Sequence, residues 1–90
     1  MSRRLTVTGR VQGVWYRGWT VEQAEALGLD GWVRNRENGS VEILVAGPDV
    51  AVEELIRRCH RGPSAARVER VEVTASDEIP PAGFALRPTA

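Results

Sequence analysis

"DGWVRNRENGSVEILVA", residues Asp30–Ala46, is the stretch on which the fold turns. "DGWVRN" reads as a short strand, and in "SVEILVA" Val41, Ile43 and Val45 face one way at the period of two that marks a strand. Between them, Asn38-Gly39 is a strong hairpin signal, because both central residues of a type I′ turn require positive φ. A hairpin in the middle of the chain then asks what lies on either side of it.

Helical periodicity does, in both directions. Upstream, Tyr16, Thr20, Ala24 and Leu27 share one helix face, with Gly28 expected as the C-cap. Gly18 weakens that helix by up to about 1 kcal/mol relative to alanine. Downstream, "GPD" opens a second helix with Asp49 expected as N-cap. Its Val52, Leu55, Ile56 and Cys59 form an apolar stripe. Glu53–Arg57 and Glu54–Arg58 are i,i+4 pairs on its exposed side, and Gly62-Pro63 ends it. Outside the helices come two more strands. Leu5, Val7 and Val11 alternate with Thr6, Thr8 and Arg10, broken at Gly9, where a bulge or the start of a turn is expected. Val68, Val71 and Val73 slip in phase between the first and second, which points to a bulge or a late strand start. After Pro80-Pro81, "GFALR" allows a short fifth strand. The order β-α-β-β-α-β is that of a ferredoxin-like α+β sandwich, a split βαβ arrangement with two helices on one face of an antiparallel sheet.

Ninety residues make a single domain, 1–90, with 42% hydrophobic and 27% charged residues. Twelve basic residues balance twelve acidic ones, which argues against recognition of nucleic acid or an anionic membrane through a broad positive surface. Every basic residue is arginine, so a Schiff-base lysine and a P-loop lysine are both excluded. One cysteine cannot form an intrachain disulfide, no secretory signal opens the chain, and no stretch approaches a membrane span. A cytoplasmic monomer is expected.

In a split βαβ unit the first two strands run parallel with another inserted between them, so their C-terminal ends emerge on one edge of the sheet. The first strand ends in "GRVQGVWYR", Gly9–Arg17, and the second ends at Asn35. Glycines at 9 and 13 allow successive backbone N–H groups to form a nest, and the helix N-terminus adds about half a positive charge. Arg17 offers a planar fork of donors for two oxygens of a phosphate. This is neither G-x-G-x-x-G nor a Walker loop, so no nucleotide fingerprint applies. Taken singly, the glycines make a tight turn, Arg17 a solvated charge and Asn35 a hairpin start. Their convergence is what points to an anion site.

These residues resemble the acylphosphatase family. "GRVQGVWYR" resembles its phosphate-binding loop with the terminal arginine, "LGLDGWVRNRENGSVE" its second block, and "RGPSAARVERVEV" its third, over Arg4–Val73 and loosely to Arg87. Tyr16 stands where phenylalanine is frequent, and Asn38-Gly39 where Asp-Gly is more usual. The resemblance implies a ferredoxin-like fold and hydrolysis of the carboxyl–phosphate bond of small-molecule acyl phosphates, with no metal or organic cofactor. By resemblance, Arg17 would bind the phosphoryl group with the backbone amides of Val11, Gln12, Gly13, Val14, Trp15 and Tyr16, and Asn35 would hold the attacking water.

No general base is evident at this edge, and the reaction class needs none. The leaving carboxylate has a conjugate acid of pKa about 4, and a loose phosphoryl-transfer transition state requires chiefly positioning and charge stabilisation. Other readings are weaker. Cys59 and His60 are adjacent on a helix, a poor geometry for a nucleophile–base pair; Cys59 is expected in the core and His60 on the surface. No metal-ligand spacing appears. Trp15 and Trp19 are expected on one helix face, flanking the site or covering the core edge, and Arg10, Arg34 and Arg36 near the site, where they would attract anions or simply face solvent. An RNA-recognition module shares the strand order but stacks bases on aromatics that "SVEILVA" lacks. The alternative from another class is a non-catalytic module of the same fold, binding phosphate or carboxylate or acting as a regulatory unit.

Overall fold

The computed structural model describes residues 2–90. The elements are β1 (Ser2–Arg10), α1 (Tyr16–Ala26), β2 (Asp30–Asn35), β3 (Val41–Ala46), α2 (Asp49–Arg61), β4 (Arg67–Ser76) and β5 (Phe84–Leu86). One sheet carries the strands in the order β4-β1-β3-β2-β5. β1 and β2 flank β3 and both run antiparallel to it, so they are parallel to one another. Leu5, Val7, Val33, Val41, Ile43 and Val45 bury one sheet face against Tyr16, Ala24, Val52, Leu55 and Cys59 of the two helices. The fold is the ferredoxin-like sandwich, with one correction: the sheet is mixed, because β5 pairs parallel with β2. The chain leaves β4 at one edge and docks at the start of β2, where Gly31 N–H donates to Gly83 O (2.9 Å) and Gly83 N–H to Asp30 Oδ1 (2.9 Å). Continuing from there, β5 can only run alongside β2 in the same direction.

The two irregularities in the flanking strands are two sides of one bulge. Thr8 pairs with Arg70 and Gly9 with Val68, leaving Glu69 as the extra residue on β4. Gly9 has φ +119°, and a Cβ there would lie 2.2 Å from Arg67 O. Glycine is required by both the angle and the approach.

The hairpin forms where expected but is not a type I′ turn. Glu37, Asn38 and Gly39 make a three-residue loop in which Gly39 alone has positive φ (95°). Arg36 N–H donates to Ser40 O (2.8 Å) and Gly39 N–H to Arg36 O (3.1 Å). Asn38 uses its side chain instead of its backbone: Oδ1 accepts from both Ser40 N–H (3.0 Å) and Ser40 Oγ (2.7 Å).

Helix ends also differ by a residue. α1 is capped at Leu27, and Gly28 (φ 71°) follows the cap. Leu29 N–H to Ala24 O (3.0 Å) and Gly28 N–H to Glu25 O (3.1 Å) complete a Schellman motif. The N-cap of α2 is Pro48, and Asp49 is the first helical residue without a side-chain cap bond. Its charge still suits the positive helix end. The expected Glu53–Arg57 pair is replaced: Glu54 takes both Arg57 (2.7 Å) and Arg58 (2.9 Å), while Glu53 approaches Arg3 of β1 (4.0 Å).

Candidate active site

The connection from β1 to α1, the end of β2 and the end of β5 surround a cavity of about 170 Å³, lined by Val11, Gly13, Trp15, Tyr16, Arg17, Gly18, Asn35 and Leu86. Arg17 and Asn35 therefore share one cavity although a helix separates them in sequence. They meet because β1 and β2 are parallel across β3 and end on the same edge.

The loop conformation comes from alternate left-handed residues, Gly13 (φ 73°) and Trp15 (φ 67°, ψ 24°). Such alternation turns successive N–H groups toward one side. Among the described residues, the N–H groups of Gln12, Gly13, Val14, Trp15 and Tyr16 have no backbone acceptor. Three expectations need correcting. Gly9 belongs to the β4 bulge and not to the nest. The Val11 N–H is occupied, donating to Gly9 O at 3.1 Å, so Val11 contributes a wall and no free donor. Val14 packs against the core and does not line the cavity.

Arg17 is the second residue of α1, half-buried, with no ion pair or side-chain hydrogen bond among the described residues. Asn35 is the last residue of β2. Its backbone O accepts from Ala90 N–H (3.0 Å), while its side-chain Oδ1 is buried without a hydrogen-bond partner. Buried polar atoms are nearly always paired; Trp32 Nε1, on the helix-free sheet face, is another without a partner among the described residues.

Two neighbours hold these groups in place. Gln12 Nε2 donates to Arg36 O (2.7 Å) and Ser40 O (2.9 Å), tying the loop to the hairpin that follows Asn35. The sequence reading assigned Gln12 only its amide; the signal for more was a polar side chain inside an apolar run. Tyr16 is buried, and its hydroxyl donates to Cys59 O on α2 (2.6 Å). Burial, together with Cys59, pushes the Tyr16 hydroxyl well above its ordinary pKa, so it remains a donor. Gly18 and Leu86 were not foreseen as lining residues. Leu86 reaches the cavity only through the β2–β5 pairing, for which its own short segment carries no sign.

Trp15 lines the cavity and so flanks the site, while the remaining candidates lie elsewhere. Trp15 precedes α1 as its N-cap, so it shares no helix face with Trp19, which packs on Tyr16 with ring centroids 5.4 Å apart. Arg34 and Arg36 do not line the cavity: on the helix-free sheet face they bind Glu42 Oε1 at 2.7 and 3.0 Å. Burial would raise the Glu42 carboxyl, but hydrogen bonds from Arg34, Arg36 and Arg4 outweigh it and hold the pKa below its ordinary value. Arg10 is exposed and is not a lining residue. Cys59 is buried, its thiol pushed up to about 12 by burial, whereas His60 is exposed, so they form no reactive pair. Among the described residues, no group of three or more His, Cys, Asp or Glu could hold a metal ion, and no helix is long and apolar enough to cross a membrane.

A family model for acylphosphatase matches residues 3–86. The acylphosphatase of Rhizorhabdus wittichii is 55% identical over 89 residues, covering 99% of this chain and 90% of that protein. That of Rhodospirillum rubrum is 52% identical over 83 residues, covering 92% and 91%. The crystal structure of acylphosphatase from Bacillus subtilis aligns with TM-score 0.90 at 34% identity, covering 96% of this chain and 97% of that one. Identity at this level over nearly the whole length carries activity as well as fold, and decides against the non-catalytic alternative: the chain belongs to the acylphosphatase family and is an acylphosphatase enzyme.

Proposed function

We propose that this enzyme hydrolyses the carboxyl–phosphate bond by in-line attack of a water held by Asn35 on a phosphoryl group held by Arg17 and the amides of Gln12–Tyr16. The observation that carries the reading is that Arg17 and Asn35, a helix apart in sequence, line one cavity beside the loop whose amides lack backbone acceptors among the described residues. The Asn35 side-chain amide, which can both donate and accept, orients a water so that a lone pair on its oxygen points at phosphorus. Arg17 supplies two parallel donors to the equatorial oxygens, and the amides add more in a fixed direction.

As the water oxygen bonds to phosphorus, the P–O bond to the acyl group breaks and its electron pair leaves on the carboxylate. That leaving group is stable without protonation at neutral pH. The proton of the attacking water passes to a phosphoryl oxygen, giving inorganic phosphate and carboxylate. No side chain has to act as a base, consistent with a cavity that has no carboxylate or imidazole among its lining residues.

We further propose that the chain works as a single-domain monomer in the cytoplasm, on a small-molecule substrate and without nucleic acid. Trp32 on the helix-free face is buried beneath Arg34 and Arg87, a poor platform for base stacking. Benzoyl phosphate hydrolysis in EDTA tests the mechanism. Turnover by the wild type should fall by about 100-fold or more in folded Arg17→Ala and Asn35→Ala, given roughly 3 kcal/mol for one preorganised donor. Full activity in either variant would remove the role given to that residue.

A further inference from the structure

We propose that Trp15 and Leu86 form a recognition wall for the acyl half of the substrate, and that the enzyme favours acyl phosphates with a flat, apolar acyl group. The inference rests on the hydrolytic reading above. Its starting point is the exposure of large apolar side chains. Trp15 is 60% exposed and Leu86 50% exposed, and both line the cavity that holds Arg17 and Asn35. They come from different elements, one from the β1–α1 connection and one from β5.

Holding the indole there has a backbone cost. Trp15 is the one described non-glycine residue with positive φ, a conformation unfavourable for an L-residue. Glycine or asparagine would satisfy the same angle with less strain. The helix makes room as well: a Cβ on Gly18 would sit 2.3 Å from the Trp15 indole nitrogen and 2.9 Å from two ring carbons. The indole thus lies over a bare patch of α1, and glycine is a poorer helix former than alanine. Two unfavourable choices, a tryptophan in a left-handed conformation and a glycine inside a helix, serve one side-chain position. Core packing does not explain them, because the ring is mostly in solvent. Phosphoryl binding accounts for the left-handed angle at position 15, which turns the amides inward, but not for an indole there, since glycine meets the same angle.

The acyl group is the part of the substrate left unrecognised by those donors. With the phosphoryl group against Arg17, it must leave the cavity past its exposed rim. An indole and a leucine there reward a planar apolar group and offer little to a methyl group.

The test compares kcat/KM for benzoyl phosphate and acetyl phosphate in the wild type, Trp15→Gly and Leu86→Ala. Glycine suits φ 67°, so the first variant keeps the loop geometry open to it. The wild type should prefer benzoyl phosphate. The benzoyl-to-acetyl ratio should fall about tenfold in Trp15→Gly, equivalent to ~1.4 kcal/mol, and about threefold in Leu86→Ala, mainly through KM for the aromatic substrate. Ratios unchanged in both variants, with turnover retained, would overturn the wall while leaving the hydrolytic reading intact. Turnover of neither substrate by the folded wild type would overturn that reading, and the wall with it.

Discussion

Replacing Tyr16 with phenylalanine removes one oxygen and leaves the ring, which isolates a single hydrogen bond. The hydroxyl donates to Cys59 O at 2.6 Å, with Tyr16 and Cys59 exposed by only 1% and 0%. That carbonyl has no helical donor. Four residues on stands Pro63, which lacks an N–H, and the Gly62 N–H is committed to Arg58 O at 2.9 Å. Tyr16→Phe therefore loses a net hydrogen bond of about 1 kcal/mol and leaves a buried carbonyl unpaired, for a total of about 2 kcal/mol within the ~1–3 kcal/mol range for such an orphan. In a domain of this size each kcal/mol moves Tm by about 4–8 °C, so a fall of about 8–16 °C is expected. Thermal and urea unfolding measured together supply the assay, with an unchanged m-value showing that the effect is on stability. A fall below about 2 °C would refute the claim that the tyrosine hydroxyl is the donor satisfying the end of α2. The contact matters for the site because Tyr16 begins the helix whose next residue is Arg17.

Glu42→Gln should destabilise by about 2 kcal/mol, less than for a fully buried pair because its arginines remain partly solvated; equilibrium urea unfolding checks this. The Glu42 pKa is lowered in the fold, so its contribution is complete above the ordinary glutamate value of about 4.3 and is lost as pH falls through the lower folded value. The wild type should lose stability more steeply on acidification below that value than the glutamine variant, and parallel acid titrations would count against the assignment. Gly9→Ala combines a φ of +119° with a Cβ 2.2 Å from Arg67 O, so a loss of about 2 kcal/mol or more is expected by thermal unfolding. Gln12→Ala removes two clamps on the loop, but Arg36 O and Ser40 O each keep a backbone donor. Stability should fall by only about 1 kcal/mol, while kcat/KM falls about tenfold or more because the loop and Asn35 lose their shared register.

Much of this enzyme was determined locally, by short-range patterns that the chain must obey wherever it folds. The alternation in Val41–Val45, the stripe from Val52 to Cys59 and the breaks at Gly28 and Gly62-Pro63 set the order of elements, and that order puts the ends of β1 and β2 on one edge. Arg17 and Asn35 were legible for that reason. The misreadings fall where a residue's partner is distant in sequence. Gly9 was read as part of the anion loop because nothing nearby reveals that Arg67 O lies against it. Arg34 and Arg36 were placed near the site by sequence proximity to Asn35, yet the strand and the turn carry them to the helix-free face and to Glu42. Leu86 entered the cavity through a parallel pairing that its three-residue strand could not announce. Local periodicity determines which face a side chain joins; which neighbour it meets there depends on long-range pairing, and only the tertiary structure decides that.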